Sequence, residues 1–438
     1  MNTPVYDFVH KYAGQDVSRF HMPGHKGKSF LGCEAFDITE IEGADVLYGC
    51  NGIIKESEDN LSSLFGTAHS YYSTEGSSLC IKAMLALALQ GKEDPLVLAA
   101  RNVHKAFCYA AALLDFEVEF IYSKASHLCS CEINAEDVKN AIENSKKKPC
   151  ALYLTSPDYL GYIPDIKAIS NVCKEYKIPL LVDNAHGAYL NFLPRSLHPI
   201  ELGATLCCDS AHKTLPVLTG GAYLHISMNA PKIYTENARS MLSLFASTSP
   251  SYLILQSLDL GNRYISEGYR DRLLKTVNDI SVIKEKLMSE GFFVKTSEPL
   301  KIVFENENAT ELCIHFRNNG IEAEFCDKDT LVLMASTENN KSDYERLLYA
   351  AKSYKGSKKR ALKEKEFSFK AQRAVSIRKA MFCEAQTISI EDALGRICAC
   401  PTVSCPPAVP VVVSGEIITD KSIEIFKEYG IKKISVIK

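Results

Sequence analysis

The chain has 438 residues, of which 46% are hydrophobic and 24% are charged, as expected of a globular protein with two to four domains. Its formal net charge of −3 is too close to zero to indicate a nucleic-acid partner. No apolar run approaches the ~20 residues of a membrane span, and the first residues lack the basic and apolar regions of a signal peptide. We therefore expect a cytoplasmic protein with neither a nucleic-acid nor a membrane partner.

The sixteen cysteines are scattered along the chain, which favours reduced thiols over disulfides. Cys129 and Cys131 are separated by one residue, and Cys207 and Cys208 are adjacent. Neither spacing is that of a zinc-ligand pair. The sequence therefore predicts no metal site.

Residues 1–30 are predicted to form an N-terminal arm, with a short helix at 5–12 and a turn-rich loop at 19–27. The loop is dense in cationic and imidazole groups. It is either a solvated loop or one that presents its His and Lys side chains, His21 and His25 among them, to a neighbouring site, because loops commonly carry function. The pattern alone leaves both interpretations open.

A turn of small polar residues, Gly76-Ser77-Ser78, leads into an apolar run at 79–89 that predicts a buried helix. Free backbone N–H groups, two hydroxyls and the positive end of the helix dipole would suit a phosphate there. An ordinary serine N-cap is the alternative. Glu75 precedes the turn, and a carboxylate beside a phosphate is unfavourable unless it turns away or finds a cation.

Strands and helices then alternate as far as residue 226. This alternation predicts an α/β fold with a mostly parallel sheet covered on both faces. The predicted strands are 96–100, 118–122, 151–155, 180–183, 204–208 and 222–226, and the helices between them are 103–114, 135–145 and 166–176.

Candidate site residues follow the ends of several predicted strands, where ligands bind on such sheets. His104 follows the first of them and could stack flat on a planar ring. Asp183 ends another strand, and Ser210-Ala211-His212-Lys213 follows the next. The amine of Lys213 would lie at the edge of an apolar stretch, and an amine in a partly dry site loses its proton more easily.

A strand-end aspartate followed later by Ser-x-His-Lys suggests a pyridoxal phosphate site. Lys213 would hold the cofactor aldehyde as a Schiff base, and Asp183 would keep the pyridine nitrogen protonated. A surface lysine and a helix-capping aspartate are the alternative for either residue alone. The two residues in this order, together with the phosphate-type turn, favour the cofactor site.

The pattern changes after residue 247. A long helical region is predicted at 253–290, and a basic linker at 355–360 precedes a small terminal unit with a helix at 422–429. Between them lies a small α+β unit with strands at 292–296, 301–305 and 330–335 and a helix at 309–319.

Four motifs occur in order along the chain: 21–27 (HMPGHKG), 183–187 (DNAHG), 210–216 (SAHKTLP) and 248–252 (TSPSY). Together they resemble those of the bacterial ornithine/lysine/arginine decarboxylases, which are pyridoxal-phosphate-dependent enzymes of fold type I, like aspartate aminotransferase. The stretch 406–416 also resembles the small terminal domain of that family. The resemblance implies an arm at 1–30, a cofactor-binding large domain at 31–270, a small α+β domain at 271–355 and a C-terminal domain at 361–438.

The resemblance also implies roles for individual residues. Lys213, Asp183 and His104 would be the catalytic residues, with His104 stacked on the ring face. His186 would lie near the ring oxygen, and the active sites would lie at the interface of a homodimer or a dimer of dimers. The His21–His25 loop would serve the substrate in the partner's site. The residues that would bind the cofactor are Gly76, Ser77, Ser78, His104, Asp183, His186, Ser210, His212, Lys213 and Thr248.

The implied function is decarboxylation of a basic amino acid to an amine and CO2, in polyamine biosynthesis, with arginine or lysine preferred over ornithine. A basic side chain needs an acidic partner, for which Asp45, Glu42 and Glu416 are all available. An aminotransferase or another lyase on the same scaffold remains an alternative. A non-catalytic regulatory relative is a further alternative, although such a protein has no need of Lys213 and Asp183.

Overall fold

The computed structural model describes residues 1–123, 127–296, 298–361, 370–403 and 408–438. Within these residues the chain forms two compact units. The first unit consists of Met1–Lys92 and Cys173–Arg272, and the second of Glu93–Val172 and Leu273–Lys438. The domain boundaries expected from the sequence remain predictions, and Pro406 and Pro407 of the terminal motif lie outside the described residues.

The two units contain α-helices and β-strands in roughly equal number. The helices are α1 Pro4–Ala13, α2 Ile53–Phe65, α3 Ser77–Leu89, α4 Lys105–Leu114, α5 Ala135–Glu143, α6 Ile166–Tyr176, α7 Pro199–Leu202, α8 Ala211–Thr214, α9 Lys232–Ser243, α10 Tyr252–Ser266, α11 Tyr269–Ser289, α12 Ala309–Asn318, α13 Lys341–Ser353, α14 Ile377–Phe382 and α15 Asp420–Glu428. The strands are β1 His69–Ser73, β2 Leu96–Ala100, β3 Glu117–Ile121, β4 Ala151–Thr155, β5 Leu180–Asp183, β6 Leu206–Asp209, β7 Ala222–Ile226, β8 Phe293–Lys295, β9 Lys301–Glu305, β10 Phe325–Cys326, β11 Thr330–Met334, β12 Ala385–Ser389, β13 Thr402–Val403, β14 Pro410–Val412 and β15 Lys433–Ile437.

In the first unit the strands lie in the order β1-β7-β6-β5. Strands β5 and β6 are parallel, with Asp183 opposite Cys208, whereas β7 runs antiparallel to both β6 and β1. All four residues of β5 and all four of β6 are buried, as are ten of the thirteen residues of α3. The buried sheet fixes where the ends of β5 and β6 lie.

The arm helix α1 is held to the first unit by a buried carboxylate. The backbone N–H groups of Val5 and Tyr6, in the first turn of α1, donate to Asp259 Oδ2 at 2.9 and 3.0 Å. A carboxylate at this position also complements the positive end of the helix dipole. The arm is therefore anchored at its first turn by a residue of α10.

In the second unit β2 pairs in parallel with both β3 and β4, as the α/β pattern predicts. A separate four-stranded antiparallel sheet has the order β10-β11-β9-β8. Its core includes Phe292, Phe304 and Phe316, which meet edge to face. The predicted α/β class with an additional α+β part is confirmed.

Several features differ from the sequence-based expectation, and helices α9 and α13 are among the elements that were not predicted. The helical region at 253–290 is two helices, α10 and α11, separated near Gly268, whose φ of +73° interrupts the helix. Strand β1 was not predicted, because His-Ser-Tyr-Tyr-Ser lacks an apolar alternation. None of the helices in the described ranges combines the length and apolar character needed to cross a membrane.

Candidate active site

The predicted aspartate lies at the carboxyl end of β5. Asp183 is only 3% exposed, and its Oδ1 accepts a hydrogen bond from the Ala185 N–H at 3.2 Å. The Cys208 thiol, on the neighbouring strand, also points to Oδ1 at 3.7 Å. A buried carboxylate at a strand end can hold a nitrogen in its protonated form.

The predicted lysine lies just beyond the end of β6, in the short helix α8. Its Nζ is 3.1 Å from His186 Nε2, and the Lys213 side chain is partly exposed. His186 follows Asp183 by three residues, so the turn after β5 places both residues in the first unit beside the segment that follows β6. The structure therefore brings a lysine amine and an imidazole within proton-transfer distance.

The predicted phosphate turn is the N-terminus of the thirteen-residue helix α3. Gly76 is its N-cap residue with φ of +70°, and a glycine has no side chain with which to cap the helix. Ser210 Oγ donates to Ser77 Oγ at 2.8 Å, which joins the turn to the segment that carries Lys213. Uncapped N–H groups at the positive end of a helix, flanked by hydroxyls, suit a phosphate.

Gly220, beyond Lys213, shapes this turn, a role that the sequence did not indicate. The Gly76 N–H donates to the Gly220 carbonyl at 2.7 Å. Gly220 has φ of +100°, and a Cβ there would lie 2.9 Å from the Thr74 carbonyl oxygen. Adjacent glycines are the signal that could have revealed this close backbone approach.

His212 is held beside the same turn by Gly221. Its backbone N–H and its Nδ1 lie 3.2 and 2.9 Å from the Gly221 carbonyl oxygen. Burial lowers the pKa of the imidazole, and the bond to Gly221 opposes that effect while the neighbouring Lys213 adds to it. The net effect is a lowered pKa for His212.

Glu75 turns towards a different part of the chain. Its Oε1 accepts from the Ser247 N–H at 2.7 Å, and its side chain is exposed. Ser247 Oγ in turn accepts from the Ser249 N–H at 3.1 Å, so the exposed Thr248 lies within this tethered loop. The conflict between Glu75 and a phosphate is thereby reduced.

His104 belongs to the second unit. It is the N-cap residue of α4, and its Nδ1 accepts from the Ala106 N–H at 3.1 Å. A side chain cap of this kind fixes the orientation of the ring. Its role in stacking on a cofactor remains a prediction.

The two imidazoles of the N-terminal loop are bonded within the first unit. His21 Nε2 lies 2.6 Å from the Tyr12 hydroxyl. His25 Nε2 lies 3.3 Å from Asp37 Oδ2, and its Nδ1 accepts from the Gly27 N–H at 3.0 Å. The contact of His21 and His25 with a substrate remains a prediction.

Two of the three acids considered for substrate recognition have structural partners. Asp45 Oδ2 accepts from the N–H groups of Gly52 and Ile54 at 3.0 Å each, and so caps α2. Glu416 is 1% exposed and accepts from the Val413 N–H at 2.8 Å. Its Oε2 also lies 3.6 Å from Arg101. Glu42 is exposed.

These groups together fit pyridoxal phosphate. Lys213 would supply an amine for the aldehyde, Asp183 a buried carboxylate for the ring nitrogen, and the α3 turn an anion site for the phosphate. The fold and this site define a pyridoxal-phosphate-dependent enzyme of fold type I.

Comparison with known proteins gives the family. The model "Orn/Lys/Arg decarboxylase, major domain" matches residues 3–351, and "Orn/Lys/Arg decarboxylase, C-terminal domain" matches residues 356–429. The chain therefore belongs to the Orn/Lys/Arg decarboxylase family. It is a pyridoxal-phosphate-dependent decarboxylase of basic amino acids, which confirms the resemblance and the activity predicted from the sequence.

Relatives of known name cover nearly the whole chain. An arginine decarboxylase of Bacillus subtilis is 28% identical over 469 aligned residues, covering 97% of this chain and 93% of that protein. An arginine decarboxylase of Halalkalibacterium halodurans is 26% identical with the same coverage. A crystal structure of a lysine decarboxylase from Francisella novicida superimposes with a TM-score of 0.83 at 18% identity, covering 100% of this chain and 81% of that one.

Proposed function

We propose that the protein decarboxylates arginine in preference to lysine and ornithine. The observation that carries the choice is the similarity, over 97% of the chain, to proteins named arginine decarboxylase. The structural neighbours named lysine decarboxylase are only 15–18% identical and therefore support the fold rather than the substrate. Lysine is the second candidate.

The proposed cofactor site uses residues that follow strands β5 and β6. Lys213 would hold the aldehyde and Asp183 the pyridine nitrogen. Once bound, pyridoxal phosphate supplies an electron sink for the pair left on the substrate Cα when CO2 departs. The residues proposed to surround its phosphate are Gly76, Ser77, Ser78, Ser210 and His212, with His104 on the ring face and His186 near the ring oxygen.

Lys213 and His186 are proposed to move the proton of the reaction. Their nitrogens are 3.1 Å apart, a distance over which a proton passes directly between two bases. Lys213 can therefore deliver a proton from Nζ to the substrate carbon that has lost CO2, and His186 can restore that proton. Asp183, being 3% exposed, acts in a poorly hydrated surrounding where its charge is little screened.

The remaining expectations form part of the same proposal. The protein would act in the cytoplasm and supply an amine for polyamine biosynthesis. It would do so as a homodimer, in which Thr248, His21 and His25 serve the partner's site. The exposed apolar side chains of the N-terminal segment 19–31, Phe20 and Leu31 among them, support the dimer because soluble monomers rarely leave several large apolar groups in water.

The test is incubation of the purified protein and pyridoxal phosphate separately with arginine, lysine and ornithine, with CO2 and the corresponding amine measured. Arginine should react fastest. No CO2 from any of the three would refute the proposal, and transfer of the amino group to a keto acid would indicate an aminotransferase instead.

A lysine variant sharpens this test. Lys213→Ala should lose the visible absorbance of the bound cofactor and at least about 10³-fold of the activity, because both the covalent anchor and the proton donor are gone. Lys232→Ala is the matched control, since its side chain is 90% exposed and pairs with Glu236 across one helical turn. It should behave like the unchanged protein.

A further inference from the structure

Asp209, the last residue of β6, is a buried carboxylate with no part in the function described so far. It is 0% exposed, and four side chains approach it. His198 Nε2 and His225 Nε2 lie 3.0 and 3.2 Å from Oδ2. Asn184 Nδ2 donates to Oδ1 at 2.7 Å, and the Cys207 thiol points to Oδ1 at 3.7 Å. A charge so far from water is retained only where donors replace its hydration.

The contacts of Nδ1 in each imidazole show which ring nitrogen carries the proton. His198 Nδ1 accepts from the Ile200 N–H, so its Nε2 carries the proton and donates to Asp209. His225 Nδ1 lies 2.7 Å from the Ser70 hydroxyl, which can donate to it, so His225 Nε2 also donates. Burial alone would raise the pKa of Asp209, but the two imidazoles outweigh it and hold that pKa well below its usual range. The negative charge therefore stays on Asp209.

This carboxylate joins the two strand ends that carry the active site. Asn184 directly follows Asp183, and its side chain crosses from the end of β5 to Asp209 at the end of β6. The Asn184 N–H also donates to the Cys208 carbonyl at 2.9 Å, which continues the β5–β6 pairing. Asp209 itself precedes the segment that ends in Lys213. Asp209 thus connects the segment that follows β5 with the segment that leads to Lys213.

Gly187 makes room for this link. A Cβ at residue 187 would lie 2.0 Å from Asn184 Oδ1 and 2.7 Å from its Cγ, so any larger residue would displace the amide. The φ of Gly187 is −126°, which every residue type can adopt, so space and not backbone conformation calls for glycine here. Gly187, the last residue of the DNAHG motif, is therefore needed for the hydrogen bond between Asn184 and Asp209.

A metal centre is the competing interpretation of these side chains. In the described part of the chain, His198, Cys207 and Asp209 offer ligand atoms within 4.8 Å of one another. Each of these groups is already engaged in hydrogen bonding to its neighbours, however, and burial raises the pKa of the Cys207 thiol well above its usual range. A metal needs the thiolate, so the contacts favour a hydrogen-bonded network.

We propose that Asp209 is a positioning residue which, through Asn184, His198 and His225, fixes the separation of Asp183 and Lys213. This inference rests on the proposed roles of Asp183 and Lys213 in cofactor binding and catalysis. Loosening the link should misplace both groups together, and small misplacements of reacting groups reduce rates strongly.

The decisive variant is Asn184→Ala, which removes the link and leaves Asp209 with both imidazoles. We expect a folded protein in which the dissociation constant for pyridoxal phosphate rises, and kcat falls, by on the order of 10-fold, while KM changes little. In the cofactor-free protein, amide hydrogen exchange should accelerate at 185–187 and 210–214. Asn191→Ala is the matched control, because Asn191 is also buried and also makes one side-chain bond, to the Leu64 carbonyl at 3.3 Å.

The outcomes separate this inference from the proposed function. Hydrogen exchange in Asn184→Ala equal to that in Asn191→Ala would overturn the positioning role, whether or not the protein proves to be a decarboxylase. Hydrogen exchange needs neither cofactor nor substrate. The comparison of the two variants therefore tests the positioning role of Asp209 even if the protein without substitutions releases no CO2. Stoichiometric zinc in the purified protein, lost in Asp209→Asn, would also overturn the inference by establishing a metal centre.

Discussion

The strand-end site, residues 183–186 and 210–213, and the N-terminal loop, residues 19–31, lie in the same compact unit but are built differently. In the strand-end site the groups are buried or half-buried and meet one another, as Lys213 meets His186 at 3.1 Å. In the N-terminal loop the polar groups are bonded locally, while Phe20 is 95% and Leu31 86% exposed. The loop therefore presents its apolar groups outward.

This difference shows which parts of the function one chain can organise. The buried ends of β5 and β6 hold their side chains in place without outside help, because parallel pairing fixes one strand end against the other. The loop has polar anchors but leaves large apolar groups in water, a state that a second copy of the chain would relieve. The following predictions test each side of the comparison.

After Lys213→Ala, the largest effect should come from Asp183→Asn, which removes the charge and keeps the shape of the side chain. Decarboxylation should fall by about 10²- to 10³-fold, because a preorganised charge at the reacting group is lost. Steady-state rates with arginine measure the effect. Asp59→Asn, at a half-exposed position on α2, is the control and should leave the rate unchanged. A loss of less than threefold in Asp183→Asn would contradict the role given to the strand-end site.

The next effect concerns the loop. Replacing Phe20 and Leu31 together by serine should weaken self-association by about 10- to 10²-fold, because each partly buried large apolar side chain contributes roughly 1 kcal/mol, less than the ~1.5–3 kcal/mol of a fully buried one. Sedimentation velocity over a range of protein concentration gives the dissociation constant. Met228→Ser, at a position that is 69% exposed on the turn after β7, should not change it. An unchanged protein that sediments as a monomer throughout would show that the loop serves no such contact.

A smaller effect is expected for His212→Gln. Affinity for pyridoxal phosphate should fall about tenfold, the usual worth of one hydrogen bond to a charged group, because the Nδ1 proton is directed to the Gly221 carbonyl and a bound phosphate would favour a second proton at Nε2. Equilibrium dialysis measures it, and His315→Gln, whose Nε2 lies 2.9 Å from the Ala350 carbonyl oxygen, is a histidine control remote from the α3 turn in the chain. Equal affinity in both variants would argue against a phosphate contact at His212.

His212 also gives a pH dependence of known sign. Its pKa is lowered from the ordinary 6.5, so below that pH the unfolded chain takes up a proton before the folded chain does. The free energy of unfolding of the cofactor-free protein should therefore decrease as pH falls through this range, and His212→Gln should show a shallower decrease. Thermal melts between about pH 7.5 and pH 5 compare the two slopes. A steeper slope in the variant would reverse the inferred direction.

The smallest effect should come from Glu75→Gln. Because the Glu75 carboxylate bonds the Ser247 N–H and is exposed to solvent, its charge should affect the phosphate weakly, and affinity for pyridoxal phosphate should change less than about threefold. Equilibrium dialysis at low salt gives the largest contrast. A tenfold gain in affinity would mean that the carboxylate faces the phosphate after all.

Much of the fold could be predicted because apolar runs bounded by polar turns decide buried strands. Strands β2, β4, β5 and β7 and helix α6 have the predicted bounds. Helix α3 begins two residues earlier than predicted, at Ser77, because polar residues at a helix start carry no apolar signal. The mixed strand directions around β7 could not be predicted, since strand direction depends on which partner the strand finds.

The sequence by itself determined the family, the cofactor and the lysine and aspartate proposed to hold it, because those motifs are local and chemically specific. Only the tertiary structure decided what surrounds them: the contact of Lys213 with His186, the hydrogen bond from the Ser247 N–H to Glu75, and the hydrogen bond from Asn184 to Asp209. These contacts join residues 25 to 172 positions apart. They arise from the pairing and packing of elements that are distant in the chain, which no local pattern of residues encodes.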